Sequence, residues 1–197
     1  MNYTKVFISG GNGFIGRKLA QYFKDRGVQV CGVDLMPCDE FNIVSGNLSE
    51  PASFSHLIKD CDLVIHTAAI VSNALSYKQT WQANVGWTKN LLDAAVHAGT
   101  VMRFIHISST AVYGSDWQTA ISEDAPLLPD GRAYNDSKMM SEHLSLSYHA
   151  SKKVECNNYS TRRCLWSRVK TMDSLPLARN CKRNLYGATG YVWTGLY

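Results

Sequence analysis

The chain has 197 residues, which is enough for one substantial hydrophobic core and short for two complete domains. Its composition, 45% hydrophobic and 18% charged, is typical of a globular protein, and the lack of a long apolar run or an apolar amino-terminal segment argues against a membrane span and a signal peptide. The net charge of +4 combines −3 over residues 1–150 with +7 over residues 151–197, so the chain changes character near Ser151.

The hydrophobic pattern alternates between short β-rich runs and longer amphipathic stretches. In chain order it predicts a strand at residues 5–9, a helix at 14–27, strands at 29–34 and 41–45, a helix at 51–59, a strand at 63–67, a helix at 77–98, a strand at 104–108 and a helix at 134–149. Residues 111–133 form a polar connection. Strands and helices that alternate in this way predict a doubly wound parallel α/β sheet with helices on both faces.

A glycine-rich segment, GGNGFIG at residues 10–16, lies between the first predicted strand and the first predicted helix. It satisfies the pattern Gly-x-Gly-x-x-Gly from Gly11 onward. Glycines at this spacing permit a tight turn, let backbone amides approach a pyrophosphate and allow the helix to pack closely on the strand. The helix amino terminus then faces the anion. The segment therefore predicts a dinucleotide site.

Asp34 ends the second predicted strand, 18 residues after Gly16. An acidic residue in this place accepts hydrogen bonds from the adenosine ribose hydroxyls in dinucleotide-binding folds. Its charge would repel a 2′-phosphate, and no arginine follows it in residues 35–37 to bind that phosphate. We therefore expect NAD rather than NADP as the cofactor. The alternative interpretation of Asp34 is a solvated acidic residue in a turn.

Tyr134 and Lys138 are four residues apart and share one face of a predicted helix. An ammonium near a phenol favours the phenolate, so we expect Lys138 to lower the pKa of Tyr134 and make it a usable acid and base. A tyrosine and a lysine at this spacing more often belong to a solvated helix surface. Here the glycine segment and a serine pair ahead of the tyrosine favour a catalytic role.

The six cysteines and six histidines form no Cys-x-x-Cys pair and no cluster with the spacing of metal ligands. We therefore expect no metal site. The cysteines are expected to be reduced thiols in the cytosol, and the histidines to lie in the core or on the surface.

Together these residues resemble the extended short-chain dehydrogenase/reductase family, the NAD-dependent epimerase/dehydratase group that includes 3β-hydroxysteroid dehydrogenase-like enzymes. The resemblance covers residues 4 to about 150. It is carried by the glycine segment, Asp34, HTAA at residues 66–69, NV at 84–85, ISSTAVYG at 107–114, and Tyr134 with Lys138. It implies a Rossmann fold with NAD as its cofactor.

The family pattern implies that Ser109 is the catalytic hydroxyl, Tyr134 the acid and base, and Lys138 its modulator. Ser108 and Thr110 are nearby hydroxyls, and the spacing to VYG at residues 112–114 favours Ser109 over them. The alternative role of these hydroxyls is strand-end capping. The cofactor-binding residues that the resemblance implies are Gly10, Gly13, Phe14, Ile15, Gly16, Asp34, Asn47, Leu48, Thr67, Ala68, Ala69, Asn84, Tyr134 and Lys138.

Two positions depart from the family pattern. Asn47 stands where the family usually has an aspartate that contacts adenine, and its amide oxygen can still accept that hydrogen bond. Trp87 replaces a small residue, which alters the packing of the helix around it.

Residues 151–197 do not resemble the family's carboxy-terminal region, because they lack the expected strand and a Tyr-Gly-Pro-Gly segment. Residues 163–168, RCLWSR, can be encoded so that the next reading frame spells Gly-Val-Tyr-Gly-Pro-Gly. We therefore expect an NAD-binding Rossmann domain at residues 1–150 and an atypical basic tail at 151–197, frameshifted or disordered, which leaves the sheet incomplete on its C-terminal side. The alternative is a basic, aromatic arm for nucleic acid or an acidic partner.

These features predict an NAD-dependent oxidoreductase or epimerase that acts by hydride transfer on a secondary alcohol of a nucleotide sugar or a sterol-like substrate. The alternative is a truncated dinucleotide-binding module with little or no turnover. A small molecule is the expected partner, with neither nucleic acid nor membrane involved, in the cytoplasm. Family resemblance also implies that the helices at 77–98 and 134–149 pair two subunits in a homodimer.

Overall fold

The structure is a computed structural model that describes residues 3–71, 75–114, 122 and 124–161. In chain order its elements are β1 (Lys5–Ser9), α1 (Phe14–Lys24), β2 (Gln29–Asp34), β3 (Ile43–Ser45), α2 (Ser55–Ile58), β4 (Leu63–His66), α3 (Tyr77–Ala98), β5 (Arg103–Ser109), α4 (Ala133–Ala150) and β6 (Glu155–Thr161). Short 3₁₀ turns occupy Asp39–Phe41, Pro51–Ser53 and Thr110–Tyr113.

The strands form one parallel sheet in the order β3-β2-β1-β4-β5-β6. The direction of strand succession reverses between β1 and β4, and ligands of such sheets bind outside the carboxyl ends of the strands at this point. The architecture confirms the predicted doubly wound α/β fold. The strands close to this reversal are β1, β2, β4 and β5. Their carboxyl ends lie along one side of the sheet, at Ser9, Asp34, His66 and Ser109.

Both faces of the sheet are covered by buried hydrophobic clusters. Val6 and Ile8 of β1 belong to the cluster that includes Leu19 and Phe23 of α1. Phe7 points to the other face, where it joins a cluster with the α3 residues Leu91 and Leu92 and others. This alternation follows from the period of two along a strand, and it explains why β1 reads as a continuous apolar run.

The predicted elements are present, with shifts at their ends. The third strand is shorter than predicted because residues 39–41 form a 3₁₀ turn, and the predicted helix at 51–59 is divided into a 3₁₀ turn and the single turn of α2. Helix α3 agrees closely with its prediction. It begins with a capping box between Ser76 and Gln79 and ends at Gly99, which has a φ of 68°.

Strand β6 corrects the expectation that no strand follows residue 150. It pairs in parallel with the whole of β5, from Glu155 beside Arg103 to Thr161 beside Ser109. Its sequence, ECNNYST, is polar and lacks both an apolar run and clear alternation. The edge of β5 supplies its hydrogen-bonding partners, and Val154 and Cys156 are buried beside it. The sheet therefore extends past residue 150.

Residues 162–197 lie outside the described part of the chain. The segment 163–168 with its latent reading frame and most of the basic tail predicted at 151–197 fall there, and these predictions stay predictions.

Candidate active site

The glycine turn after β1 is packed so closely that larger residues would collide. Gly10 has a φ of +69°, and a Cβ atom on it would lie 2.8 Å from the backbone nitrogen of Ala68. A Cβ atom on Gly16 would lie 2.1 Å from the carbonyl oxygen of Gly10. Helix α1 therefore rests directly on the turn, as expected for a loop that approaches a pyrophosphate.

The first turn of α1 lies directly after the glycine turn. Gly13 is its N-cap and makes no side-chain capping hydrogen bond. Phe14 is 63% exposed at the same end. Backbone N–H groups and the helix dipole together favour a phosphate there. The residues present thus fit the pyrophosphate of a dinucleotide.

Asp34 links the glycine turn to the end of β2. Its Oδ2 accepts a hydrogen bond from the backbone N–H of Asn12 at 3.1 Å, and its Oδ1 accepts one from Met36 at 3.3 Å. An ionised carboxylate has about four acceptor positions, so two remain for ribose hydroxyls. Asp34 therefore contacts the glycine turn, which the alternative interpretation of a solvated acidic residue in a turn does not include.

Arg17 lies near Asp34. The sequence analysis looked for an arginine that could bind a 2′-phosphate only in residues 35–37, and so it missed Arg17. Its guanidinium donates to Oδ1 of Asn12 at 2.9 Å and pairs with Glu40 at 3.3 Å. The sequence signal was available, because Arg17 lies one turn into α1, the helix that follows the glycine segment. Glu40 offsets its charge on this side of the fold.

The loop after β3 carries the residues assigned to adenine. Oδ1 of Asn47 accepts a hydrogen bond from the N–H of Ser49 at 2.9 Å, and the carbonyl of Leu48 accepts one from Asn90 at 2.8 Å. Trp87 donates from Nε1 to Oγ of Ser49 at 2.8 Å. The large side chain at position 87 thus ties α3 to this loop. The adenine contacts themselves stay predictions.

The loop after β4 is fixed from two sides. Thr67 donates to the carbonyl of Ser9 at 2.7 Å, which places Thr67 and the adjoining Ala68 against the glycine turn. The amide of Asn84 accepts from the N–H of Ile70 at 2.8 Å and donates to Ser137 at 2.9 Å. Asn84 is buried, so its side chain supports this loop and α4. Its predicted contact with the cofactor, like that of Ala69, is not tested by this geometry.

Ser109 and Tyr134 meet at the end of β5. The Ser109 hydroxyl lies near the phenol of Tyr134, and Oγ of Ser109 accepts a hydrogen bond from the N–H of Ala111 at 3.2 Å. Burial raises the pKa of Tyr134, while the nearby Ser109 hydroxyl lowers it, and the net direction is upward. Ser108 instead interacts with Glu142. The structure therefore brings together the serine and the tyrosine that the family pattern selects.

Lys138 has a different position from the one expected. It is 2% exposed, and its Nζ donates to the carbonyl of Ile107 at 2.7 Å and lies 3.2 Å from Nε2 of His106. Burial lowers the pKa of Lys138 to about 7, against the raising effect of Glu142. Burial raises the pKa of Tyr134 and Ser109 opposes this rise, so the pKa of Tyr134 in the free protein is not lowered as expected. The role of Lys138 as its modulator stays a prediction.

Two buried histidines lie side by side on β4 and β5. The ring centroids of His66 and His106 are 5.3 Å apart, and Nδ1 of His66 lies 2.7 Å from Oγ of Ser9. Burial lowers the pKa of His66 to about 3, with the charge of Lys138 acting in the same direction. Both imidazoles are therefore neutral. The prediction of a core position is confirmed for these two, but the contact between His106 and Lys138 was missed.

Glu142 was also missed, although a sequence signal for it existed. It lies four residues after Lys138, which lies four residues after Tyr134, so the three share one face of α4.

Among the described residues no group of three or more histidine, cysteine or acidic side chains is placed to hold a metal ion. In the same part of the chain Cys31, Cys38, Cys61 and Cys156 are free thiols, and no helix is long and apolar enough to cross a membrane.

The parallel sheet, its strand order and the glycine turn define a dinucleotide-binding fold of the Rossmann type. The model of the NAD dependent epimerase/dehydratase family matches residues 6–162, and the chain belongs to this family. The match confirms the family expected from the sequence and includes β6. It ends at residue 162, immediately before the segment 163–168 whose next reading frame can spell the glycine-tyrosine-proline motif.

Individual relatives cover several activities. A 3 beta-hydroxysteroid dehydrogenase/Delta 5-->4-isomerase of Mycobacterium tuberculosis is 29% identical over 73% of this chain and 42% of its own length. A dTDP-glucose 4,6-dehydratase of Streptomyces antibioticus is 34% identical over 59% of this chain and 37% of its own. A crystal structure of an Agrobacterium tumefaciens short-chain dehydrogenase/reductase superfamily protein with bound NAD has a TM-score of 0.73 and 29% identity, covering 79% of this chain and 48% of that one.

The chain spans about 42% of the length of the first curated relatives that it matches. NAD is the cofactor of the family and is bound in the Agrobacterium structure, in agreement with the cofactor expected from Asp34 and the glycine segment.

Proposed function

We propose that this chain forms the cofactor-binding and catalytic part of an NAD-dependent oxidoreductase or epimerase, which acts on a secondary alcohol of a nucleotide sugar or a sterol-like substrate. The observation that carries the proposal is that the hydroxyls of Ser109 and Tyr134 lie near each other at the carboxyl ends of the strands, where the glycine turn also lies. A hydroxyl pair in this position offers a substrate oxygen both a hydrogen-bond partner and a proton acceptor.

Several residues are proposed to hold NAD. The turn containing Gly10, Gly13 and Gly16 and the amino terminus of α1 would bind the pyrophosphate, and Asp34 would bind the adenosine ribose. The loops that carry Asn47 and Thr67 border the same edge. The support for these roles is the close packing of the turn and the contact between Asp34 and Asn12.

The protein's own groups would handle the proton. Ser109 would hydrogen-bond the substrate oxygen, and Tyr134 would take the hydroxyl proton from it as a general base. Bound NAD supplies the acceptor for the hydride that leaves the carbon. The raised pKa of Tyr134 keeps the phenol protonated in the free protein, so a nearby positive charge is needed for it to act as a base. We propose Lys138 as this positive charge, because it lies on α4 one helical turn after Tyr134.

Two substrate classes are supported by relatives. The Mycobacterium relative is named for a steroid alcohol and the Streptomyces relative for a nucleotide sugar. In both classes the reacting group is a secondary alcohol on a ring, which needs the same hydroxyl pair and hydride acceptor. We therefore propose this shared chemistry as the function, with the two classes as arms of the test.

The test is NADH formation by the purified chain with a panel of 3β-hydroxysterols and nucleotide sugars, with epimerised sugar products followed separately by chromatography. The expected result is activity with one class that depends on both Ser109 and Tyr134. Tyr148→Phe is a matched control, because Tyr148 is on the same helix and its hydroxyl contacts Asp93, away from Ser109. Equal loss in the control variant would contradict the assigned roles.

A second candidate is a dinucleotide-binding module with little or no turnover. One observation favours it: Nζ of Lys138 donates to the carbonyl of Ile107 and is not among the groups that lower the pKa of Tyr134. NAD binding without product from any substrate in the panel would support this candidate. Calorimetric titration with NAD on the same preparation separates it from a protein that does not bind the cofactor.

A further inference from the structure

Lys138 lies in a largely buried polar cluster formed by His106, Ser108, Lys138, Glu142 and the partly exposed Ser160, which we name the Lys138 cluster. Its members come from β5, α4 and β6. Lys138 and Glu142 are only 2% and 5% exposed, and His106 is fully buried. Ionisable side chains are rarely buried to this extent unless they are paired, so the charge of Lys138 must be stabilised by neighbouring groups.

Hydroxyl groups of two strands lie beside Glu142. Ser160 of β6 donates to Oε1 of Glu142 at 3.4 Å, and the Ser108 hydroxyl of β5 also acts on this carboxylate. Burial raises the pKa of Glu142, while Ser108, Lys138 and Ser160 oppose that rise. The strand that the sequence analysis missed therefore contributes a residue to this cluster.

His106 contributes a neutral acceptor. When Lys138 is charged its ammonium has only donors, so Nε2 of His106 then accepts from Nζ of Lys138 and the ring proton is on Nδ1. Burial and the charge of Lys138 both keep the pKa of His106 well below its ordinary value. A second proton on this ring would remove the acceptor for Lys138.

In the described part of the chain, the other elements around Lys138 supply no second anion. Strand β4 contributes His66, which is neutral, and α3 contributes the uncharged Asn84 and Thr88. Tyr134, on α4, is protonated. Within the described residues Glu142 is the acidic group that acts on the charge of Lys138.

We propose that Glu142 is a positioning residue for Lys138: its carboxylate, bound by Ser160 and buried one helical turn from Lys138 on the same face of α4, keeps the buried ammonium charged on the face that carries Tyr134. The catalytic part of this inference rests on the proposed function. Glu142 does not touch the reacting atoms and acts only through Lys138. The charged ammonium is the form that can stabilise the phenolate of Tyr134 and donate to a cofactor hydroxyl.

The direct test is the titration of the Lys138 ammonium by NMR of the isotope-labelled protein without cofactor, with its signal assigned by its loss in Lys138→Met. Glu142→Gln preserves the size of the side chain and removes its charge. We expect the midpoint of the Lys138 titration to fall by ~1 pH unit or more in this variant. Glu142→Asp keeps the charge and should show a smaller fall.

Glu155→Gln is the matched control, because Glu155 is on β6 but pairs with Arg103 at 2.6 Å, outside the Lys138 cluster. It should leave the midpoint unchanged. An unchanged midpoint in Glu142→Gln, or an equal fall in Glu155→Gln, would overturn the proposal. Should Glu142→Gln fail to fold, Glu142→Asp and Ser160→Ala provide the same comparison, and no change of the Lys138 midpoint in either would count against it.

Turnover gives the second readout. Since the ammonium is lost above its pKa, the basic limb of the pH profile of NADH formation should move to lower pH in Glu142→Gln by the same amount as the NMR midpoint. Activity lost equally at all pH values would indicate a merely structural role and contradict the inference. A fall of the NMR midpoint in a protein with no turnover on any substrate would support Glu142 while rejecting the proposed function.

Discussion

The indole Nε1 of Trp87 donates a hydrogen bond to Oγ of Ser49 at 2.8 Å, which joins the middle of α3 to the loop after β3. This contact explains a residue that looked out of place in the family pattern. A small residue at position 87 would leave the loop carrying Asn47 and Leu48 without this support. The tryptophan also packs against the hydrophobic cluster beneath that loop.

The contact predicts a measurable coupling between Trp87 and Ser49. Trp87→Phe keeps an aromatic ring and removes the N–H, and we expect it to lower the free energy of unfolding by about 0.5–1.5 kcal/mol. Ser49→Ala should have a similar effect, and the double variant should lose less than the sum of the two. Urea unfolding of all four proteins completes the cycle. Strict additivity would show that the hydrogen bond contributes nothing.

Gly16 and Gly86 both lie in helices, and we expect replacement by alanine to have opposite effects on stability at the two positions. A Cβ atom on Gly16 would meet the Gly10 carbonyl oxygen at 2.1 Å, whereas one on Gly86 meets nothing within 4 Å. Gly16→Ala should destabilise the protein by about 1–3 kcal/mol through overpacking and should also abolish NAD binding. Gly86→Ala should stabilise it by about 0.5–1 kcal/mol. Thermal unfolding and calorimetry with NAD measure both effects, and equal behaviour of the two variants would refute the close packing of the turn.

Asp34 should determine the choice between NAD and NADP. Asp34→Asn keeps an oxygen that can accept from Asn12 but removes the charge, so we expect weaker preference for NAD and stronger binding of NADP. Arg17, which reaches Asn12 on the same side, should supply part of the gain. The double variant Asp34→Asn, Arg17→Ala should therefore bind NADP less well than Asp34→Asn. Titration of each protein with both cofactors is the measurement, and an unaltered preference in Asp34→Asn would exclude this role.

Tyr134 should affect turnover far more than cofactor binding. We expect Tyr134→Phe to lose roughly 10²- to 10⁴-fold in rate, the usual range for a general acid or base, with little change in NAD affinity. Lys138→Met should reduce both the rate and the affinity, because two roles are proposed for it. Steady-state kinetics on a confirmed substrate and calorimetry separate the two effects. A Tyr134→Phe variant with an undiminished rate would remove this residue from the mechanism.

The buried Lys138 should impose a pH dependence on stability. Burial lowers its pKa from 10.5 to about 7, so between these values the unfolded chain binds more protons than the native protein. The free energy of unfolding should therefore rise with pH across this window, and the stabilising change is lost as pH falls through about 7. Lys138→Met should flatten this rise. Urea unfolding of both proteins from pH ~7 to ~9.5 tests the sign, and parallel curves would contradict it.

Much of the fold and of the cofactor site could be predicted because the relevant signals are local. The apolar run at residues 5–9, the glycines that follow it and Asp34 at the end of the next strand are close in sequence, and backbone sterics and strand periodicity are sufficient to interpret them. The same applies to α3, whose capping box and terminal Gly99 are sequence features. The family pattern also selected Ser109 over Ser108, and the structure brings Ser109 to Tyr134.

Tertiary structure decided what depends on partners from distant parts of the chain. Strand β6 forms because β5 offers an unpaired edge, although its own residues are polar. Lys138 and Tyr134 share a helix face, but burial and the carbonyl of Ile107, 31 residues earlier, determine where the ammonium lies. Helical spacing gives the side of a helix on which a charge lies, whereas the desolvation of that charge and its partners depend on the elements that pack over it.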